Sequence, residues 1–318
     1  MYYFCTYFDS YYLPKALCLL DSLNLHCPSF TLYMLCLDEA SERKIKEANY
    51  GNVKVVSLKE LETAYPQLSE LKNSRSKIEY YYTCGPAYIR YVLDMDKSID
   101  LITYLDADMY FYDDPTPLYQ ALTGHSIGVI GTHLPEFRKS RVWQGTYNVG
   151  WLNFRRDAEG IKCLEWWRDR CLEWCYERYE DGKYADQLYL DKWPELFEGF
   201  YEFTHRGANA GPWNIGDYKI SKRDDKIFLD NYPLLFYHFH GLKKISPSIY
   251  YTSLFKTLKP MPPILKQMYI DYIKQLKTHS PEQDPTASIR KYRAKYHLLK
   301  TAYKIIVGII FGQYIIIK

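Results

Sequence analysis

No acidic residue follows Asp284 in this 318-residue chain, and no two of its cysteines form a C-x-x-C pair. Each absence excludes something. After Asp284 come Arg290, Lys291, Arg293, Lys295, Lys300, Lys304 and Lys318, while the net charge of the whole chain is only +3, so the body ahead of them is net acidic. A basic tail on an acidic body implies an anionic surface as partner and argues against a nucleic-acid-binding core. The eight cysteines are Cys5, Cys18, Cys27, Cys36, Cys84, Cys163, Cys171 and Cys175. Cys171 and Cys175 share a helix face, but without a second pair they make no zinc site, and the set reads as reduced thiols of a cytosolic protein. No signal-peptide pattern opens the chain, whose first basic residue is Lys15, so the body is expected in the cytosol. The apolar end, Ile305 to Ile317, is thirteen residues long. A bilayer-spanning helix needs about 20. There is no internal repeat and no low-complexity linker before Pro260, and the length suits one large α/β domain or a domain with an appendage.

What is present begins with tyrosine. Thirty-four tyrosines lift the aromatic share to 17%, and their flat apolar faces with polar tips suit sugar and base contacts or a membrane interface. The chain then organises around Leu101 to Pro115, LITYLDADMYFYDDP. Ile102 to Leu105 is a short β-forming run that ends in Asp106-Ala107-Asp108. On extended backbone, residues i and i+2 point to one side, so two carboxylates can meet one hard cation such as Mg²⁺ or Mn²⁺. Ligands of open α/β sheets bind at the carboxyl ends of the strands, which is where this pair falls.

Strands are predicted over Tyr2 to Phe8, Phe30 to Leu37, Val53 to Leu58, Ser126 to Thr132 and Tyr147 to Phe154. Helices are predicted over Tyr12 to Leu23, Glu39 to Asn49 and Ile78 to Leu93, the last interrupted at Gly85-Pro86. Further helices are expected over Thr116 to Leu122, Ala158 to Arg178 and Tyr184 to Trp193. The alternation implies a mainly parallel sheet covered by helices. Gln67 to Lys77 reads as polar and aperiodic, and His133 to Thr146 as a long functional loop. Short strands are expected at Tyr201 to Thr204, Lys226 to Leu229 and Leu234 to Phe239, then a helix over Ile264 to Leu276. From Ile289 a basic, aromatic helix leads into the apolar end. It either lies in a membrane surface or docks on the body or on a partner copy. The expected division is residues 1–260 as catalytic domain and 261–318 as a helical, basic and apolar tail.

YLDADMYFYDDP resembles the D-x-D segment of nucleotide-sugar glycosyltransferases of the GT-A fold, specifically family 8, the glycogenin and lipopolysaccharide galactosyltransferase type. The resemblance covers about residues 1 to 250. It implies an α/β, Rossmann-like GT-A fold with a mixed, mainly parallel sheet flanked by helices, to which the C-terminal helical tail is added. It also implies Mn²⁺ (or Mg²⁺) held by Asp106, Asp108 and a distant histidine followed by Gly at +3 and Lys at +6. His238, Gly241 and Lys244 stand at those spacings, and His240 fits them less well. The ammonium of Lys244 would meet the departing phosphate, and Gly241 would let the backbone approach the diphosphate.

By the same resemblance, the nucleotide lies at the end of the first strand. Thr6 and Asp9 would hydrogen-bond the base, and Tyr7 or Tyr11 would stack on it. Arg90 matches the arginine of the family's Y-x-R segment and would pair with a phosphate or fix an aspartate, with Lys77 a second candidate. For both, a surface ion pair is the alternative. Ala107 belongs to the donor-binding turn. Asn148 and Gly150 match the family's N-x-G strand, and Asp186-Gln187 its D-Q segment, with Asp186 on donor hydroxyls and Gln187 near the anomeric carbon. Asn209, Trp213 and Asn214 would wall the donor or the acceptor. Lys244 is followed by Ile245 where the family pattern usually has Pro-Trp.

The function implied is transfer of a sugar, with retention, from a nucleotide-diphosphate sugar (a UDP-sugar by family habit) to a glycan or glycolipid hydroxyl in cell-surface polysaccharide or lipopolysaccharide synthesis. The enzyme would be cytoplasmic and peripheral on the cytoplasmic face of the membrane. A sugar-phosphate nucleotidyltransferase is the rival enzyme, but FDSYYLPK after the first strand lacks the glycine-rich basic loop such enzymes carry. A membrane-tethered, non-catalytic interaction module is the rival non-enzyme.

Overall fold

The computed structural model of the protein describes residues 1–134, 143–254, 260–280, 308–309 and 312–317. The chain opens with β1 (Tyr2–Phe8), α1 (Leu13–His26), β2 (Phe30–Cys36), α2 (Glu39–Ala48), β3 (Val53–Ser57), α3 (Leu58–Ala64), α4 (Pro66–Leu71) and α5 (Lys77–Met95). Then follow β4 (Leu101–Leu105), β5 (Met109–Phe111), α6 (Thr116–Ala121), β6 (Ile127–Gly131), β7 (Tyr147–Arg155), α7 (Ala158–Glu173), α8 (Trp193–Leu196) and β8 (Phe200–Phe203). The central sheet has the order β3-β2-β1-β4-β7-β6-β8. Within it only β7 runs against its neighbours, pairing antiparallel with β4 and β6. The expectation of a mixed, mainly parallel sheet flanked by helices holds. All seven residues of β2 are buried, as a parallel strand covered on both faces requires. One apolar layer packs α5 and α7 on the sheet, and a second packs α1 and α6 on its other face.

Local chemistry explains most boundaries. Asp38 caps α2 through the Ser41 N–H, and Ser57 and Ser76 form capping boxes with Glu60 and Glu79. The structure departs from expectation where tertiary contacts intervene. Residues 66–71 form α4 and not an aperiodic stretch. α5 runs unbroken through Gly85-Pro86. A helix-interior proline costs about 3 kcal/mol. Here the loss is offset by burial of that turn against the Tyr7 ring, which lies 3.3 Å from where a Cβ on Gly85 would stand. α7 stops at Glu173, short of Arg178. The buried Arg75 guanidinium takes the carbonyls of Cys171 and Leu172, satisfying the last turn from outside. No helix begins at Tyr184, because Ala185 adopts a left-handed φ of 47°; only a 3₁₀ turn, Leu188–Lys192, precedes α8.

The C-terminal third forms small sheets. β9 (Ile220–Arg223), β10 (Lys226–Leu229) and β11 (Tyr232–Pro233) make one, and β12 (Phe236–His238) pairs with β5. β13 (Lys243–Ser246) and β14 (Ile249–Tyr251) follow, then α9 (Pro263–His279), which packs on α1. The last strand, β15 (Tyr314–Ile316), adds to β14, and Ile315 and Ile317 are buried with α9. This part of the apolar end is therefore a strand on the body and not a helix in a membrane surface. The helix expected from Ile289 lies outside the described residues, as do residues 135–142 of the long loop. Among the described residues no helix is long and apolar enough to cross a membrane.

Gly160, in the first turn of α7, tests the packing of that helix on β7. A Cβ there would stand 2.2 Å from the Arg155 carbonyl oxygen, whereas a Cβ on Gly51 would meet nothing within 4 Å. Gly160→Ala is expected to lower unfolding free energy by about 1–3 kcal/mol, and Gly51→Ala to change it by no more than about 0.5 kcal/mol, in urea titrations. Equal effects would refute the packing.

Candidate active site

The site is assembled by one strand pair. After β4 the chain turns through Asp106-Ala107-Asp108, with the Met109 N–H closing on the Asp106 carbonyl, and enters β5. β5 pairs antiparallel with β12 in the register Met109↔His238, Tyr110↔Tyr237, Phe111↔Phe236. The Phe239 N–H donates to the Asp108 carbonyl at 2.9 Å. A histidine 130 residues downstream is thereby set beside both carboxylates. His238 Nε2 lies 2.8 Å from Asp108 Oδ1 and 3.5 Å from Asp106 Oδ2. On β7, Gly150 completes the floor. A Cβ there would come within 3.2 Å of Asp106 Oδ2 and 3.1 Å of His238 Nδ1, and the Asn148 Oδ1 accepts from the Gly150 N–H.

The electrostatics match the geometry. His238 is 2% exposed, and neither of its ring nitrogens makes a well-directed hydrogen bond despite the short approach to Asp108. Buried imidazole nitrogens without hydrogen bonds, facing two carboxylates, fit a divalent cation held among them. His240, at the rim, has a ring nitrogen close enough to join Asp108 and His238 around one ion. Burial pushes the Asp106 carboxyl above its usual range, against the pull of His238. Burial acts the same way on Asp108, but the charges of Lys15 and His238 overcome it and hold that carboxyl well below the usual range. Burial would lower His238, yet Asp108 and then Asp106 raise it.

The other expected residues are spread around this centre. Tyr7 and Asp186 lie near Asp106, and Thr6 is buried in β1. Thr6 Oγ1 is buried without a partner, and Tyr7 stacks on Tyr104, whose hydroxyl donates to Asp106 Oδ1. Asp186 is buried and pushed up to about 7, first by burial and then by the charge of Asp106. Asp9, Tyr11 and Lys77 stand at the entrance. Asp9 accepts from the backbone N–H groups of Tyr11 and Tyr12 and pairs with Lys77 at 2.8 Å, while Tyr11 is 67% exposed. Gly241, at φ 70°, turns the chain toward the exposed Lys244 on β13. Ala107 is buried in the aspartate turn. Trp213 sets its ring edge-on to His238, with centroids 5.2 Å apart. Asn209 and Asn214 are buried beside it, on the carbonyls of Gly131 and Thr132.

Two further side chains are held by protein partners. Arg90 adopts the ion-pair alternative: its guanidinium pairs with Asp94 at 2.5 Å and Glu165 at 3.0 Å, tying α5 to α7. The Gln187 amide is occupied, donating to the Gln144 carbonyl at 2.9 Å and so bracing the loop. Lys15 was not anticipated. It comes from the first turn of α1, is 7% exposed, and sets its Nζ 3.2 Å from Asp108 Oδ2. Its signal was present, because Lys15 shares the helical face of Leu19 and Ser22, where a charge has no place without a partner.

The chain is 31% identical over 290 residues to the uncharacterized protein YfnF of Bacillus subtilis, covering 89% of this chain and 95% of that protein. It is 28% identical over 279 residues to YfnD of the same organism, covering 87% and 89%. No protein-family model matches the chain. Among solved structures, the galactosyltransferase LgtC in complex with donor and acceptor sugar analogs superposes with a TM-score of 0.52 at 16% identity, over 89% of this chain and 98% of that one. The fold is that of the GT-A glycosyltransferases. Within it, the chain belongs to the family of YfnF.

The raised Asp186 carboxyl makes stability depend on pH with a definite sign. From the usual value of 3.8 up to about 7 the unfolded chain ionises Asp186 first, so this group removes stability as pH rises through that window. Asp186→Asn is therefore expected to unfold at higher urea than the parent at pH 8 in chelator, by up to roughly 4 kcal/mol, with the gain vanishing toward pH 4. A gain equal at both pH values would contradict this assignment.

Proposed function

We propose that the protein is a metal-dependent glycosyltransferase that moves a sugar from a nucleoside diphosphate sugar, a UDP-sugar by resemblance, to a hydroxyl of a glycan or glycolipid. The observation that carries the proposal is the approach of His238 to both Asp106 and Asp108 at the carboxyl end of a parallel strand. Asp106, Asp108 and His238 would hold Mn²⁺ or Mg²⁺. A divalent ion bound there supplies positive charge to the leaving diphosphate.

The chain's own groups do the rest. The partnerless Thr6 Oγ1 and the entrance carboxylate of Asp9 would hold the nucleoside, with the exposed Tyr11 ring as cover. Gly150 and Asn148 would line the sugar, because any side chain at 150 collides with the floor. Asp186, buried beside Asp106, would accept from donor hydroxyls. Gln187, fixed by the Gln144 carbonyl, would present a rigid edge to the reacting carbon. Lys244 would answer the phosphate charge as the sugar leaves. The resemblance implies retention, and because no other carboxylate among the described residues stands as an obvious nucleophile, the route would be a same-face transfer. LgtC, whose fold this chain shares, binds donor and acceptor sugar analogs. The seven basic residues after Asp284 support an anionic membrane surface as the place of a lipid-linked acceptor.

The test is nucleotide release from UDP-, GDP-, dTDP- and ADP-sugars with Mn²⁺, run beside Asp108→Asn. One donor is expected to be hydrolysed, with a loss of at least about a hundredfold in the variant, equal to about 2.7 kcal/mol of transition-state stabilisation. Failure of every nucleoside diphosphate to bind in the presence of Mn²⁺ would end the proposal. Separately, the full chain is expected to sediment with vesicles containing phosphatidylserine at low salt and to be released at high salt; salt-independent retention would count against an electrostatic surface contact.

A further inference from the structure

Lys15 is a cation placed where a cation is to be bound. Its Nζ lies 3.2 Å from Asp108 Oδ2, on the opposite oxygen from the one that faces His238 at 2.8 Å. The ammonium is buried, and the Tyr12 ring lies 4.1 Å from it. A buried lysine and a divalent ion that share one carboxylate repel each other, and a site this enclosed screens them little. Without Lys15, Asp106 and Asp108 would face each other with only the imidazole between them, the arrangement a divalent cation relieves most. α1, whose first turn carries Lys15, packs against β5, the strand that follows Asp108.

We propose that Lys15 is a built-in counter-charge that holds the aspartates in register without metal and competes with the divalent cation for Asp108, so that it sets the affinity of the site for metal. The inference rests on the metal reading above. It has a sign that a merely supporting residue would not have: removing a support weakens binding, whereas removing a competitor strengthens it. It also implies coupling. A nucleoside diphosphate brings negative charge that relieves the repulsion between Lys15 and the ion, so metal binds the native protein far better when the diphosphate is present, and Lys15 is the source of much of that difference.

The test is Mn²⁺ titration of the full chain followed by electron paramagnetic resonance, without and with UDP, for the native protein, Lys15→Met, Lys15→Gln and Lys15→Arg. Lys15→Met is expected to bind Mn²⁺ about tenfold tighter than the native protein when UDP is absent and to gain less from UDP, while Lys15→Arg stays weak. Thermal unfolding in chelator monitors folding. Lys15→Met should melt lower and gain more from Mn²⁺ than the native protein. If the methionine variant does not fold, the glutamine variant carries the same expectation. Equal or weaker Mn²⁺ binding in the folded neutral variants overturns the proposal and leaves the metal site standing. No Mn²⁺ binding by any of the four proteins, with or without UDP, overturns the metal reading and this proposal together.

Discussion

Buried Asp108 and His238 and the partly exposed Asp106 are brought together by backbone pairing, which sets His238 Nε2 2.8 Å from Asp108 and 3.5 Å from Asp106. Two carboxylates at the end of a strand repel, and a buried imidazole between them leaves ring nitrogens without directed hydrogen bonds. The pairing of β5 with β12 imposes the arrangement. The Phe239 N–H on the Asp108 carbonyl and the Tyr112 N–H on the Leu235 carbonyl close its two ends, and the His238 N–H on the Ala210 carbonyl holds the other edge of β12. The cost is met in the core, where Phe236 stacks on Trp151 with ring planes 7° apart. Everything else at the site, from Gly150 beneath to Lys15 beside it, is shaped around that charge.

Much of this was legible from residues alone. β1, β4 and α2 sit within a residue or two of their expected ends, because each carries a local signal: an apolar run closed by polar residues, or an aspartate cap. The D-x-D pair stood out because two carboxylates ended a core strand. His238 did not stand out by itself; only its spacing to Gly241 and Lys244 connected it to a strand 130 residues earlier. The short strands β9, β11, β13 and β14 have two to four residues each and no periodicity long enough to read.

The open and misplaced readings have a common cause. Arg90 was read from its neighbours in sequence, yet its partners are Asp94 one turn on and Glu165 on another helix. The end of α7 is set by Arg75, almost a hundred residues away. The helix expected at Tyr184 fails at Ala185, where a left-handed backbone strains a residue with a Cβ and turns Asp186 inward. That strain sits next to a buried carboxylate of the site, where local rules are commonly broken for function. The buried Lys15 shows the converse case, a residue whose periodicity announced a partner without naming it.

The stack of Phe236 on Trp151 also bears on how the molecule comes apart. Trp151 adjoins Gly150 and Phe236 is two residues from His238, so the aromatic pair belongs at once to the sheet core and to the floor of the site. A fluctuation that freed His238 from the aspartates would have to draw Phe236 out from between Trp151 and Phe111. The cluster of Asp106, Asp108 and His238 is therefore expected to open only together with the sheet core, so that its amides exchange late, whereas the exposed Tyr11 and Lys244 side chains lie outside that packing.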